Sequence, residues 1–393
     1  MAREMWVRRA WVLGLALLTL TVAASLALAA ANIQAPSALL GMQQRAIQLP
    51  PARLARVTAG KQVADINQLQ QSYLVRNNVP FFRIGTQEQK LLPLSALEFQ
   101  PSAAQVQASQ VLAGPLLQYR NWILEEPIGL PPELPEVVDR RPNQTPIKNQ
   151  NPRGTCVCFA SMAGLEVAYG GGTLDLSENY ANYLYMKAES RGCKDDGLAT
   201  HMSAEYLAAH GVCGESICPY QSSSFPAFCN NGANPAPAQR ATADSKCPYK
   251  IRSYQKIWRK DDLASDTGLW INNPNYLEAI LRSGKDIVYG THVAGWTGNV
   301  TGIVDVKLGA DGKPLPSVGG HAMLIVGYNH SEGYFIVKNS WGTGVGQSGY
   351  LYLSYDYIRT YAKYGYVINE VEPLAIRMIA PALRAMPRVL PTK

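Results

Sequence analysis

Charged residues are scarce in this chain: they make up 17% of its 393 residues, against 47% that are hydrophobic. That balance excludes a disordered polyelectrolyte and fits a globular protein. No basic run is interleaved with aromatics, so the formal charge of +7 leaves no nucleic-acid footprint. Arg3, Arg8 and Arg9, less Glu4, supply +2 of that charge, leaving a diffuse +5 over the rest. None of the seven cysteines is spaced as a Cys-x-x-Cys pair, which argues against zinc, and no metal or cofactor is expected. Cys193, Cys213, Cys218, Cys229 and Cys247 instead cluster, as disulfide-forming cysteines of exported proteins do. Their connectivity stays open, and the odd total leaves at least one thiol free. Residues 32–126 contain no internal repeat and nothing that suggests chemistry.

What is present is organised in five stretches. Residues 1–31 read as a signal peptide: arginines first, an almost wholly apolar run from Ala10 to Ala31, and a small-x-small site at Ala27-Leu28-Ala29. The apolar run is long for a signal core, so an uncleaved membrane anchor is the alternative. The chain is therefore expected to be secreted or periplasmic, or membrane-anchored if the signal stays. Residues 32–133 form an N-terminal domain or pro-region, closed by Pro127, Pro131, Pro132 and Pro135. Within it, Gln68 to Arg76 reads as helical, and Leu91 to Phe99 as a helix or an extended segment.

Residues 134–251 read as helices and loops. Thr155 to Tyr169 is a helix stopped by Gly170-Gly171-Gly172, and Ser177 caps a second helix from Glu178 to about Ala188. Residues 252–370 are rich in short strand-like runs: Ile287 to Tyr289, Ala322 to Tyr328, Tyr334 to Val337, Tyr350 to Leu353 and Tyr364 to Ile368. Asn273-Pro274 starts one helix among them, and Gly284 stops it. A helical half followed by an antiparallel half predicts an α+β, two-lobed protein. Residues 371–393 look like an appended tail.

Four residues stand in an order that suits acyl transfer: Gln150, Cys156, His321 and Asn339. A free cysteine near pKa ~8.5 is mostly protonated at neutral pH. A helix N-terminus and a nearby histidine turn it into a thiolate nucleophile. Arg153-Gly154-Thr155 reads as the turn into such a helix. Gln150 supplies a neutral amide donor for an oxyanion. His321, at a strand start, is aimed rigidly, and Asn339, after the next strand, fixes its tautomer. Trp341 shields that hydrogen bond from water. Each residue alone has a plain structural reading, as a buried thiol, a satisfied histidine or a turn; their joint occurrence in one order favours catalysis.

These segments resemble the papain family of cysteine peptidases. Pro146-Ile147-Lys148-Asn149-Gln150 and Gly154-Thr155-Cys156 are similar to its oxyanion and nucleophile segment, and Leu176-Ser177-Glu178 to its next helix start. Cys218-Pro219-Tyr220, Gly320-His321-Ala322, Val326-Gly327-Tyr328 and Lys338-Asn339-Ser340-Trp341-Gly342 match further family segments, so the likeness covers about 134–370. It implies a helical lobe (134–251) and a β-barrel-like lobe (252–370), the active site in the cleft between them, and peptide-bond hydrolysis through a thioester. It also implies that Gly197 pairs with substrate backbone, and that Leu198 and Ala322 line an apolar pocket. Protein or peptide substrates, an inhibitory pro-region and a monomer are the partners to expect.

The departures from the family are specific. Arg153 stands where most members place a cysteine that pairs with one near Cys193, so that disulfide is absent. Val157 and Val345 replace cleft tryptophans, and the Arg-Gly-Thr-Cys form looks more like bacterial members. Cys193-Lys194-Asp195-Asp196-Gly197 puts two acids into a glycine-rich segment, and Cys158 faces away from Cys156 as a buried thiol. The expected function is an exported endopeptidase. The competing readings are a peptide amidase or transpeptidase using the same triad, and a non-catalytic binding scaffold.

Overall fold

In a computed structural model, residues 47, 49, 51–111, 114–124, 135–189, 197–222, 242, 246–260 and 268–374 are described. The signal-like residues 1–31, the acids Asp195 and Asp196, Cys193 and Cys229 lie outside them, as does the tail beyond Leu374.

The N-terminal part is made of short elements. Helix α1 (Pro51–Thr58) and α2 (Ile66–Ser72) lead into a three-stranded antiparallel sheet of β1 (Tyr73–Arg76), β2 (Val79–Ile84) and β3 (Gln87–Lys90). A 3₁₀ turn at Leu94–Leu97, helix α3 (Ala103–Ser109) and helix α4 (Arg120–Leu124) follow. The helix expected over Gln68–Arg76 thus ends at Ser72, because Tyr73-Leu74-Val75 has strand-forming side chains that pair with Pro80, Phe81 and Phe82.

The helical lobe contains α5 (Cys156–Ala168), α6 (Glu178–Ala188) and α7 (Thr200–Ala209). α5 is apolar nearly all round and buried from Cys156 to Glu166, so it is a central helix rather than a surface one. It ends at Gly170, Gly171 and Gly172, all with positive φ, as expected. Ser177 Oγ accepts from the Tyr180 amide at 3.0 Å and caps α6.

The second lobe is one extensive sheet in the order β5-β11-β6-β8-β9-β10-β7, with β4 (Val137–Asp139) also pairing β8. Its strands are β5 (Ile251–Trp258), β6 (Ile287–Val293), β7 (Ile303–Val304), β8 (Gly319–Asn329), β9 (Tyr334–Lys338), β10 (Tyr350–Ser354) and β11 (Ala362–Val371). Pairing is antiparallel except between β10 and β7. Helix α8 (Pro274–Arg282) begins at Asn273, whose Oδ1 accepts from the Asn275 amide at 3.1 Å. Helix α9 (Tyr355–Tyr361) joins β10 to β11. A shared apolar core runs from Val157, Met162 and Leu165 of α5 to Val288, Leu324 and Tyr366 of the sheet. Fully burying each aliphatic side chain there is worth about 1.5–3 kcal/mol. This packing fixes the start of α5 against the start of β8.

Candidate active site

Cys156 is the first residue of α5, and its cap residue Thr155 makes no side-chain capping bond. The Thr155 hydroxyl is instead 2.8 Å from Tyr220 Oη, which also donates to the Gln150 carbonyl at 2.8 Å. The α5 amides are therefore left for the sulfur, which receives backbone N–H groups of Ala322, Val157 and Cys156 itself. The Ala322 contact comes from β8, one residue past His321, so β8 delivers the histidine to the head of the helix.

Gln150 joins the two lobes. Its backbone N–H donates to the Ser340 carbonyl at 2.9 Å, and its Oε1 accepts from Ser340 Oγ at 2.7 Å. One Nε2 hydrogen donates to the Arg153 carbonyl at 2.9 Å, so the side-chain amide is held at both its oxygen and its nitrogen. Arg153 is fully buried. Its guanidinium donates to Asn179 Oδ1 at 3.1 Å, Asn182 Oδ1 at 2.9 Å and the Gln221 carbonyl at 3.0 Å, beneath the Tyr220 ring. Where the family resemblance leads one to expect a disulfide, this chain clamps the same turn with a hydrogen-bonded fork.

Asn339 follows β9, and its Oδ1 lies 2.8 Å from His321 Nε2. The same oxygen accepts from the Ser340 amide at 2.8 Å, which identifies it as the carbonyl end. His321 Nε2 is then the donor, and Nδ1 carries the lone pair in the neutral ring. Nδ1 is buried and has no hydrogen-bond partner among the described residues. Trp341 stacks on the imidazole at 4.4 Å and Trp296 meets its edge at 6.2 Å, so the pair lies between indoles, out of water.

Charge is where the structure departs from the sequence reading. Burial pushes the Cys156 thiol up to about 12 and the His321 imidazole down to about 4. Both neutral forms are favoured here, and the thiolate expected from the helix terminus is not, because desolvation outweighs the three amides at the sulfur. Residues 73–99 contribute to that burial. Leu92 and Gly320 exchange two backbone hydrogen bonds at 2.7 and 2.9 Å beside the histidine. Phe82 stacks on Trp341 at 5.5 Å, and the Lys90 charge reaches the sulfur. Leu97 fills a pocket formed with Ala199, Trp258 and Tyr364. A Cβ at Gly320 would lie 2.7 Å from Leu97 Cδ1, so glycine there admits that side chain.

Of the other residues singled out by sequence, Ala322 and Leu198 join Cys156 and Leu92 in one buried cluster. Gly197 is buried just ahead of α7. Trp341 faces His321 and Phe82. Cys158 is a buried thiol in no disulfide, as expected. Sequence reasoning missed Gly320, Ala199, Trp258 and Tyr364 as pocket residues, Trp296 as a shield, and which residues of the N-terminal segment reach the site. No local pattern marks them, since they meet only through long-range packing. Among the described residues, no group of three or more His, Cys, Asp or Glu is placed to hold a metal ion.

A helix-borne cysteine facing a strand-borne histidine, held by an asparagine across two lobes, defines the thiol peptidase class. A family profile described as papain family cysteine protease matches residues 134–366, and the chain belongs to that family. It is 31% identical over 231 residues to cysteine proteinase 2 of Entamoeba histolytica, covering 56% of this chain and 63% of that protein. It is 28% identical over 214 residues to chymopapain of Carica papaya, covering 53% and 51%. The chain thus spans about half to two thirds of the length of the curated relatives it matches. The crystal structure of xylellain, a cysteine protease from Xylella fastidiosa, shares the fold at a TM-score of 0.50 and 23% identity, covering 72% of this chain and 95% of that one.

Proposed function

We propose that this protein is an exported cysteine endopeptidase, made as a precursor in which residues up to about 133 cover the site. The reading is carried by one observation: the hydrogen-bonded His321–Asn339 pair stands beside the head of α5, with Nδ1 unpartnered and Leu92 paired to the preceding Gly320.

Once the cover leaves, water returns to the cleft. The Cys156 pKa falls, the His321 pKa rises, and Nδ1 takes the thiol proton. The thiolate attacks the scissile carbonyl carbon. The Gln150 amide and the Cys156 backbone N–H stabilise the oxyanion. His321 returns the proton to the leaving amine, a thioester remains on Cys156, and water activated by His321 hydrolyses it. Leu97 occupies the pocket that a substrate side chain enters, with Gly197, Leu198 and Ala322 contributing to the surrounding wall.

The test compares turnover of fluorogenic peptides under reducing conditions by the full chain and by a Phe82→Ala/Leu97→Ala variant, each beside its Cys156→Ala counterpart. The expected result is little turnover by the full chain, a clear rise in the double variant, and none without Cys156. Equal turnover by both forms would remove the cover from the proposal. Turnover that survives Cys156→Ala would remove the nucleophile.

A further inference from the structure

Three thiols that the peptidase chemistry does not use meet on the helical lobe. Cys213 and Cys218 are fully buried, and Cys247 is half-buried against the same core cluster. The chain reaches this arrangement through an isolated antiparallel bridge: Val212 and Tyr249 exchange backbone hydrogen bonds at 2.8 and 3.3 Å. The Cys213 and Cys247 thiols are hydrogen-bonded to each other. Cys218 is turned to different partners, with Asn179 Nδ2 donating to its sulfur at 3.7 Å. Its carbonyl accepts from Ser177 Oγ at 2.5 Å, which fixes that backbone to the cap of α6.

We infer that Cys213 and Cys247 form a redox-modification site that closes to a disulfide, while Cys218 stays a thiol bound to Asn179. The oxidant class is a small or protein-borne disulfide, RSSR. Cys247, the more exposed of the three, attacks one sulfur of RSSR as its thiolate, releasing RSH after proton uptake and leaving a mixed disulfide. Cys213 then loses its proton and displaces the second RS group, which leaves as RSH. Two thiols and one RSSR become one protein disulfide and two RSH. The hydrogen bond to Cys247 and burial raise the Cys213 pKa, so this second displacement is the slow one.

The bond would tie the two ends of the stretch between Cys213 and Cys247, and that stretch carries Tyr220. Tyr220 is itself pinned, its amide donating to Glu215 Oε1 at 2.5 Å and its hydroxyl to the Gln150 carbonyl. The lobe thus has a covalent tie behind the turn that Arg153 clamps only by hydrogen bonds.

The test uses the full chain carrying Cys156→Ser, so that neither the nucleophile nor peptidase activity enters the result. The protein is incubated with oxidised or reduced glutathione, alkylated after denaturation, and mapped without reduction. Cleavage after Glu215 separates Cys213 from Cys218. A Cys213–Cys247 linkage in the oxidised sample, with Cys218 alkylated, supports the assignment. So does a rise in unfolding temperature of roughly 5–10 °C that Cys247→Ser abolishes and Cys218→Ser retains. A linkage of either residue to another cysteine, a glutathione adduct that stops at Cys247, or three alkylated thiols would overturn it.

Discussion

The core and the segment lying over it bury their side chains in different ways. Within the core, α5 and the sheet supply most of the packing: Val157, Leu165, Leu324 and Tyr366 share one cluster, which also takes in Leu92 of the N-terminal segment. The N-terminal segment is built of pieces too small to hold a core of their own. Phe82, Leu92 and Leu97 are as fully buried as any of those residues, yet beside Tyr73 of the same segment their partners include Trp341, Gly320, Trp258 and Tyr364 on the core. One region packs chiefly on itself, and the other chiefly on its seat. An element of the second kind leaves as a unit when its few anchors fail, which is the property a removable cover needs.

Substitutions separate the two regions, and the largest effects fall in the core. Cys156→Ala is expected to lower peptide turnover by at least about 10⁴-fold with little change in unfolding temperature, read by kinetics and calorimetry together. Gln150→Ala removes one oxyanion donor and should lower kcat by about 10²–10³-fold; an unchanged kcat would assign that amide to structure alone.

In the cover the sign reverses. Leu97→Ala empties a pocket at a cost of about 2–5 kcal/mol, so turnover by the unprocessed chain rises and protease cleavage within residues 51–124 speeds up. A variant that stays latent would show that Leu97 is not an anchor.

Acid acts on the same seat. His201 lies 4.1 Å from Phe99 of the cover and against Trp258 and Tyr364, and burial drives its pKa down to about 3. A base with a folded pKa below its unfolded value of ~6.5 contributes stability that is full above that value and lost as pH falls toward about 3. The loss reaches roughly 3 kcal/mol by pH 4 and should appear as faster proteolysis of the cover there than at pH 7. His201→Phe should flatten that dependence. The smallest effect is expected at Lys61, which bridges Asp305 at 2.7 Å and Asp356 at 2.8 Å near the surface. Lys61→Ala should cost no more than about 1 kcal/mol and shrink further in salt, as denaturant titration at two ionic strengths would show.

Features legible in the sequence share a local cause. The stop of α5 at three glycines, the Ser177 cap and the Asn273-Pro274 start are properties of a few neighbouring residues, and each stands where read. The strands over 287–368 run past their expected ends, because end residues take their state from the partner strand. Helix α9 was not anticipated: its Tyr-rich sequence favours strands, but Ser354 caps it and the core buries it. Leu91–Phe99 forms a single bridge and a 3₁₀ turn because the Leu92 backbone pairs with Gly320 and only Leu94–Leu97 closes on itself.

The sequence by itself determined the chemical groups and their order, Gln150, Cys156, His321 and Asn339, since residue types and local turns need no distant partner. Only the tertiary structure decided that the thiol and imidazole stand neutral under a cover, that Leu97 fills the pocket, and that Cys213 meets Cys247. Water exclusion and side-chain proximity depend on which remote segments pack together, and a pKa or a thiol pair follows from that packing rather than from the residues alone.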